Sequence, residues 1–118
     1  MMSSRSIVAT FVGLLLSGGW ALAQESVAAS AQAGRDIALD RAKGNCLACH
    51  TFVDSDVPSS VGPKLSDMRK RFPKRADLVA IIGDEGSRNP QTLMPPFGAN
   101  RILTPTEIEK VVDYLYTL

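Results

Sequence analysis

The chain has few of the residues that carry most enzyme chemistry. Among 118 residues there are one histidine, two cysteines and one tryptophan, and aromatic residues make up 6%. One histidine leaves no second imidazole to share acid–base work. There is no Ser/His/Asp set and no Gly-rich phosphate loop. Two cysteines and one histidine are too few for a four-ligand zinc site made of those residues. Charge is nearly balanced, with 13 basic and 12 acidic groups and a net charge of +1, so nothing points to a nucleic-acid partner. No stretch alternates apolar and polar residues over a useful length, which argues against a sheet. There are no repeats and no low-complexity tails.

What is present starts with a leader. Arg5 is followed by an apolar run at 7–16, broken only by Thr10 and Gly13, and by the small-x-small triplet Ala21-Leu22-Ala23. This pattern predicts a secretory signal peptide over residues 1–23, cut after Ala23, and so a periplasmic location. The rival reading is a membrane anchor. The run is too short for ~30 Å of hydrocarbon, so no stable anchor is expected. Residues 24–33, rich in Ala, Ser and Gln, are expected to form a flexible leader that becomes helical near Ala31–Gly34. The domain itself is expected over 34–118.

The centre of that domain is Cys46-Leu47-Ala48-Cys49-His50. Two thiols three apart, followed by a histidine, form a c-type haem attachment pattern. Positions i, i+3 and i+4 share a helix face. Both sulfurs can then reach the vinyl groups of one porphyrin, and the imidazole can reach its iron. A redox dithiol is the other use of such a pair, and it wants a strand–helix context that this chain does not show.

Around this motif the chain predicts a helix over 34–45 ending at Gly44, and a loop over 51–61. Short helices are expected over 66–72 and over 75–82, the latter stopped by Gly83 and Gly86. An irregular but ordered stretch is expected over 84–100. The last helix opens with Thr104-Pro105-Thr106-Glu107, a capping box with proline at its first position. Ile108, Val111, Val112 and Leu115 then give one apolar stripe. Gly34 is a candidate for close approach of the first and last helices.

Three further features bear on the site. Gly62-Pro63 is either a plain turn or the place where the Pro63 carbonyl orients His50, since a ligating histidine donates its other N–H to such an acceptor. Met94, in the stiff run Met94-Pro95-Pro96-Phe97, is the candidate sixth ligand, because a thioether suits haem iron opposite histidine. Met68 is its rival, and core filling is the ordinary use of either. The basic run over 69–75 holds Arg69, Lys70, Arg71, Lys74 and Arg75. It reads as a solvated face or as a docking patch for an acidic partner.

The order of Cys46, Cys49, His50, Gly62-Pro63, Met94 and a terminal amphipathic helix resembles the class I cytochrome c family. That resemblance implies an all-α fold of three to five short helices around one covalent haem c, with the N- and C-terminal helices crossed. It implies thioether bonds at Cys46 and Cys49, axial ligands at His50 and Met94, and a Pro63 carbonyl bonded to the His50 ring.

More narrowly, several runs resemble the SoxX family. These are Gly44-Asn45-Cys46-Leu47-Ala48-Cys49-His50, Val61-Gly62-Pro63 with Leu65, Arg71-Phe72-Pro73, Asn89-Pro90-x-Thr92-x-Met94-Pro95-Pro96-Phe97-Gly98, Ile102-Leu103-Thr104 and Tyr114-Leu115-x-Thr117-Leu118. That resemblance implies the monohaem electron-transfer subunit of a SoxAX complex, an L-cysteine S-thiosulfotransferase. A SoxA-like cytochrome would be its partner in a heterodimer. Thiosulfate would be joined to a cysteine of a SoxYZ-like carrier on that partner. The released electrons would pass through this chain to a downstream cytochrome, with no substrate chemistry on the chain itself. The alternative is a free-standing periplasmic electron carrier of the same fold.

Overall fold

The structure is a computed structural model that describes residues 18–118, with the side chains of 18–23 and of Glu25 left aside. Most of the expected signal peptide therefore lies outside the described residues. Four α-helices follow in order: α1 Gly18–Leu39, α2 Met68–Arg71, α3 Arg75–Asp84 and α4 Pro105–Leu115. Short 3-10 turns stand at Cys46–Ala48 and Glu85–Ser87. The only strand-like pairing among the described residues is one isolated bridge between Phe52 and Leu65. The fold is all-α, as expected. No helix of the described residues is long and apolar enough to cross a membrane.

The expected flexible leader is corrected. Residues 24–33 belong to α1, where Ala28, Ala29, Ala31 and Ala33 supply high helix propensity. Ala31 is buried, and the Ser30 hydroxyl donates to Asp113 on α4, so the domain's packing begins before residue 34. At its other end α1 stops at Leu39, earlier than the sequence pattern suggests. Asp40 ends it. Its carboxylate accepts from the Ala42 N–H at 2.8 Å, and its carbonyl accepts from Lys43 and Asn45. These bonds turn the chain before Gly44.

Helices α1 and α4 cross at Gly34. A Cβ there would collide with the Lys110 carbonyl, so a larger residue would push the helices apart. Helix α4 is built as its sequence predicts. The Thr104 side chain accepts from the Glu107 N–H, and the Glu107 carboxylate accepts from the Thr104 N–H. Ile108, Val111, Val112 and Leu115 are buried, and so is Tyr114.

Helix α3 runs through Gly83 to Asp84 and does not stop there. Gly83 serves another purpose. Its carbonyl accepts from the Gly98 and Ala99 N–H groups at 3.0 and 3.1 Å. Two glycines face each other at this point, and a Cβ on Gly98 would lie 3.1 Å from the Gly83 Cα. The segment after Met94 is thereby laid against α3.

The basic run over 69–75 is mostly internal wiring. Arg75 pairs with Glu109 and Asp113 on α4, both at 2.7 Å. The Arg69 guanidinium lies 4.5 Å from the Tyr116 ring centre. Arg71 donates to the Lys64 and Ser66 carbonyls. Only Lys70 and Lys74 have no such partner among the described residues. The docking-patch reading shrinks from five cations to two.

Candidate functional site

A cavity of about 820 Å³ opens at the centre of the domain. The buried core does not fill a separate space. Leu65, Met68, Leu78, Ile82, Phe97, Leu103, Val111 and Leu115 belong to the core and also line this cavity. The apolar residues of α2, α3 and α4 therefore converge on a hollow of the size that takes a large organic ligand, within roughly 300–1,000 Å³.

One part of its wall is the segment from Gly44 to Pro63. Asn45, at φ 47°, turns the chain into the Cys46–Ala48 turn. The Cys46 carbonyl then accepts from the Cys49 N–H at 3.2 Å and the His50 N–H at 2.9 Å. The motif is wound as one tight turn, and Cys46, Cys49 and His50 all face the cavity. Gly44 is needed beneath it, since a Cβ there would lie 2.8 Å from the Ile37 carbonyl oxygen and 3.2 Å from the Cys46 sulfur.

The imidazole is held by its neighbour. His50 Nδ1 stands 2.7 Å from the Pro63 carbonyl oxygen. A carbonyl can only accept, so Nδ1 carries a proton, and in the neutral ring Nε2 is the nitrogen with the free lone pair. That is the tautomer a metal-ligating imidazole requires. The ring fits there because residue 62 is glycine. A Cβ on Gly62 would lie 2.6 Å from His50 Cε1 and 2.8 Å from Nδ1. Sequence reasoning singled out Pro63 and passed over Gly62 as a role of its own. Its signal was present, as a glycine placed directly before the proline.

Another part of the wall is the segment over 85–97. Met94 is half-buried and lines the cavity. Its N–H donates to the Thr92 hydroxyl at 3.1 Å, the Thr92 N–H donates to the Asn89 carbonyl, and the Asn89 N–H donates to the Glu85 carbonyl. Met68 also lines the cavity but is 2% exposed, and its sulfur accepts from the Arg71 guanidinium at 3.4 Å. Met68 is core filling whose lone pair is occupied. Met94 is the thioether left for another use.

The rival uses of the two cysteines fare poorly. Burial pushes the Cys46 thiol up to about 11, the reverse of a reactive dithiol. No group of three or more His, Cys, Asp or Glu could hold a metal ion among the described residues. The donor set fits a haem instead. Two thiols on one turn, an imidazole in the correct tautomer, an available thioether and an apolar hollow are what an attached porphyrin needs.

Comparison with known proteins agrees. The family model described as cytochrome c oxidase, cbb3-type, subunit III matches residues 29–115. No curated protein matches the chain.

Proposed function

The chain belongs to the family described as cytochrome c oxidase, cbb3-type, subunit III; beyond that membership we propose, from the residue runs that resemble the SoxX family, that it is the electron-transfer subunit of a SoxAX-like complex. The coarser statement stands by itself: the chain is a class I c-type cytochrome, an electron-transfer haem protein. A haem bound here supplies a one-electron couple at its iron.

The chain's own residues do the rest. Cys46 and Cys49 would hold the porphyrin, and the Pro63 carbonyl keeps a proton on His50 Nδ1. Met94 would supply the second protein ligand to its iron. With His50 and Met94 both on the iron, no coordination site would be left for a substrate, and the haem would serve to pass electrons. Leu65, Phe97 and Leu103 give the hollow an apolar lining.

The observation that carries the finer reading is the Asn89-Pro90 to Gly98 run. Its proline and asparagine turns present Met94 to the cavity, and its residues resemble the SoxX family at eight of ten positions. On this reading the partner is a SoxA-like cytochrome in a heterodimer, which joins thiosulfate to a SoxYZ-like carrier cysteine. The electrons leave through this chain to a downstream cytochrome, in the periplasm after signal-peptide removal. The second reading is a free-standing periplasmic carrier.

Purification from the native periplasm in mild salt separates them. The expected result is a second haem-bearing subunit in fixed ratio, with thiosulfate oxidation when a carrier protein is added. A red monomer that runs alone overturns the subunit reading and leaves the carrier.

A further inference from the structure

Glu85 is the only buried charged residue among those described, at 7% exposure. It is also the only acidic residue lining the cavity there; the other charged side chains of the wall are Arg41, Lys43, Arg71 and Arg88. Lys43 is paired with Glu107, and Arg71 is engaged with carbonyls. The Glu85 carboxylate has one partner, Arg88, through contacts of 2.6 and 3.1 Å.

The pair is lopsided. The Arg88 side chain is 65% exposed and that of Glu85 is 9%. Water and salt screen the arginine, while the carboxylate acts through the poorly polarisable interior. The cavity therefore feels a net negative charge from a pair that is formally neutral. The pair also stands at the root of the Met94 segment, since the Glu85 carbonyl accepts from the Arg88 and Asn89 N–H groups at 3.0 and 2.8 Å.

We infer that Glu85, balanced by Arg88, sets the reduction potential of the bound haem by favouring the more positive, oxidised iron. This rests on the haem reading above. Glu85 acts as a positioning and tuning residue; it is no iron ligand. Removing its charge leaves Arg88 alone and favours the reduced state. Removing the Arg88 charge leaves the carboxylate uncompensated and favours the oxidised state.

The test is spectroelectrochemical titration at pH 8 of the mature holoprotein with Glu85→Gln, Arg88→Gln and both together. Glu85→Gln is expected to raise the reduced-to-oxidised ratio at fixed ambient potential by about threefold to tenfold, tenfold being about 59 mV for a one-electron couple. Arg88→Gln is expected to lower the ratio, and the double variant to fall between wild type and Glu85→Gln, because the net negative charge of the pair is lost with it. All three are expected to keep the methionine–iron absorption band.

Singles that move in the same direction, or a Glu85→Gln that leaves the ratio unchanged or lowers it, overturn the inference. Loss of the band in both singles also overturns it and makes the pair a structural support of the Met94 segment. A wild-type protein with no haem spectrum would instead defeat the haem reading, before any variant is compared.

Discussion

The two segments that face the cavity are held in different ways. The His50 segment is held by its own neighbours. The Cys46 carbonyl winds the turn, the Pro63 carbonyl takes the imidazole proton, and the Gly62 N–H donates to the Cys49 carbonyl at 2.7 Å. The Met94 segment is held at its ends. Glu85 and Asn89 anchor its start, and the Gly83–Gly98 contact anchors its finish. Between these, Leu93 is 81% exposed. A histidine held by its own turn beside a methionine held only at the ends of its segment would suit a site where one residue binds the group and the other tunes it.

The largest expected effect breaks the rigid side. Cys46→Ser with Cys49→Ser removes the covalent hold on the group that completes the core, and the chain is expected to lose cooperative folding, because binding free energy here is folding free energy. Circular dichroism with thermal melting checks it. A sharply melting haem-free variant would break the comparison, since the core would then stand without its centre.

Gly62→Ala comes next. The added methyl meets the His50 ring within 2.6–3.1 Å on three atoms. A misfit of this kind costs about 1–3 kcal/mol. The expected result is a lowered melting temperature together with an altered His50 ring signal in the NMR spectrum. The same melt with an undisturbed ring would show that this side yields as easily as the other.

Met94→Ala is expected to be milder for the fold and sharper for the haem. Met94 is only half-buried, so the loss is smaller than the roughly 2–5 kcal/mol of a fully buried methionine. The reduction potential is expected to fall and the methionine band to vanish, while the helical spectrum persists. A variant that keeps wild-type spectrum and potential removes Met94 as the ligand and returns Met68 to consideration.

Which parts of this arrangement could be read beforehand follows the same division. Cys46-x-x-Cys49-His50 and the Thr104 capping box are local, so a short window contains all their partners. The α4 stripe is local too, although its spacing does not include Tyr114. It is buried, its hydroxyl donates to Asp54 at 3.0 and 3.1 Å, and burial with that bond pushes its phenol above the usual range. What needed the fold was long-range. Gly62 matters because of a ring twelve residues before it. Gly83, a stop signal by local rule, is a contact for Gly98. Arg69, Arg71 and Arg75 look like a surface run until Tyr116, Lys64 and Glu109 are brought against them. The start of α1 was misplaced because alanine-rich sequence is equally compatible with a loose leader, and only Asp113 and the α4 surface decide the matter.

The smallest expected effect concerns the tie between the His50 segment and α4. Lys43, just before the motif, bonds the Glu107 carboxylate, which also closes the capping box of α4. That bond, with the Thr104 N–H, holds the Glu107 carboxyl down from 4.5 to about 2. In the unfolded chain the carboxyl returns to the ordinary range, so the unfolded state takes up the proton first as pH falls. The contribution is therefore complete above about pH 4.5, declines through the interval to about pH 2, and is gone below it. Lys43 is exposed and Glu107 is only partly buried, so the effect is modest and screened by salt. Glu107→Gln is expected to flatten the melting-temperature profile between those pH values and to leave the Met94 band unchanged at neutral pH. If the variant's profile keeps the wild-type slope, the acid sensitivity belongs to other carboxylates. The His50 segment would then be held by its own turn without help from α4.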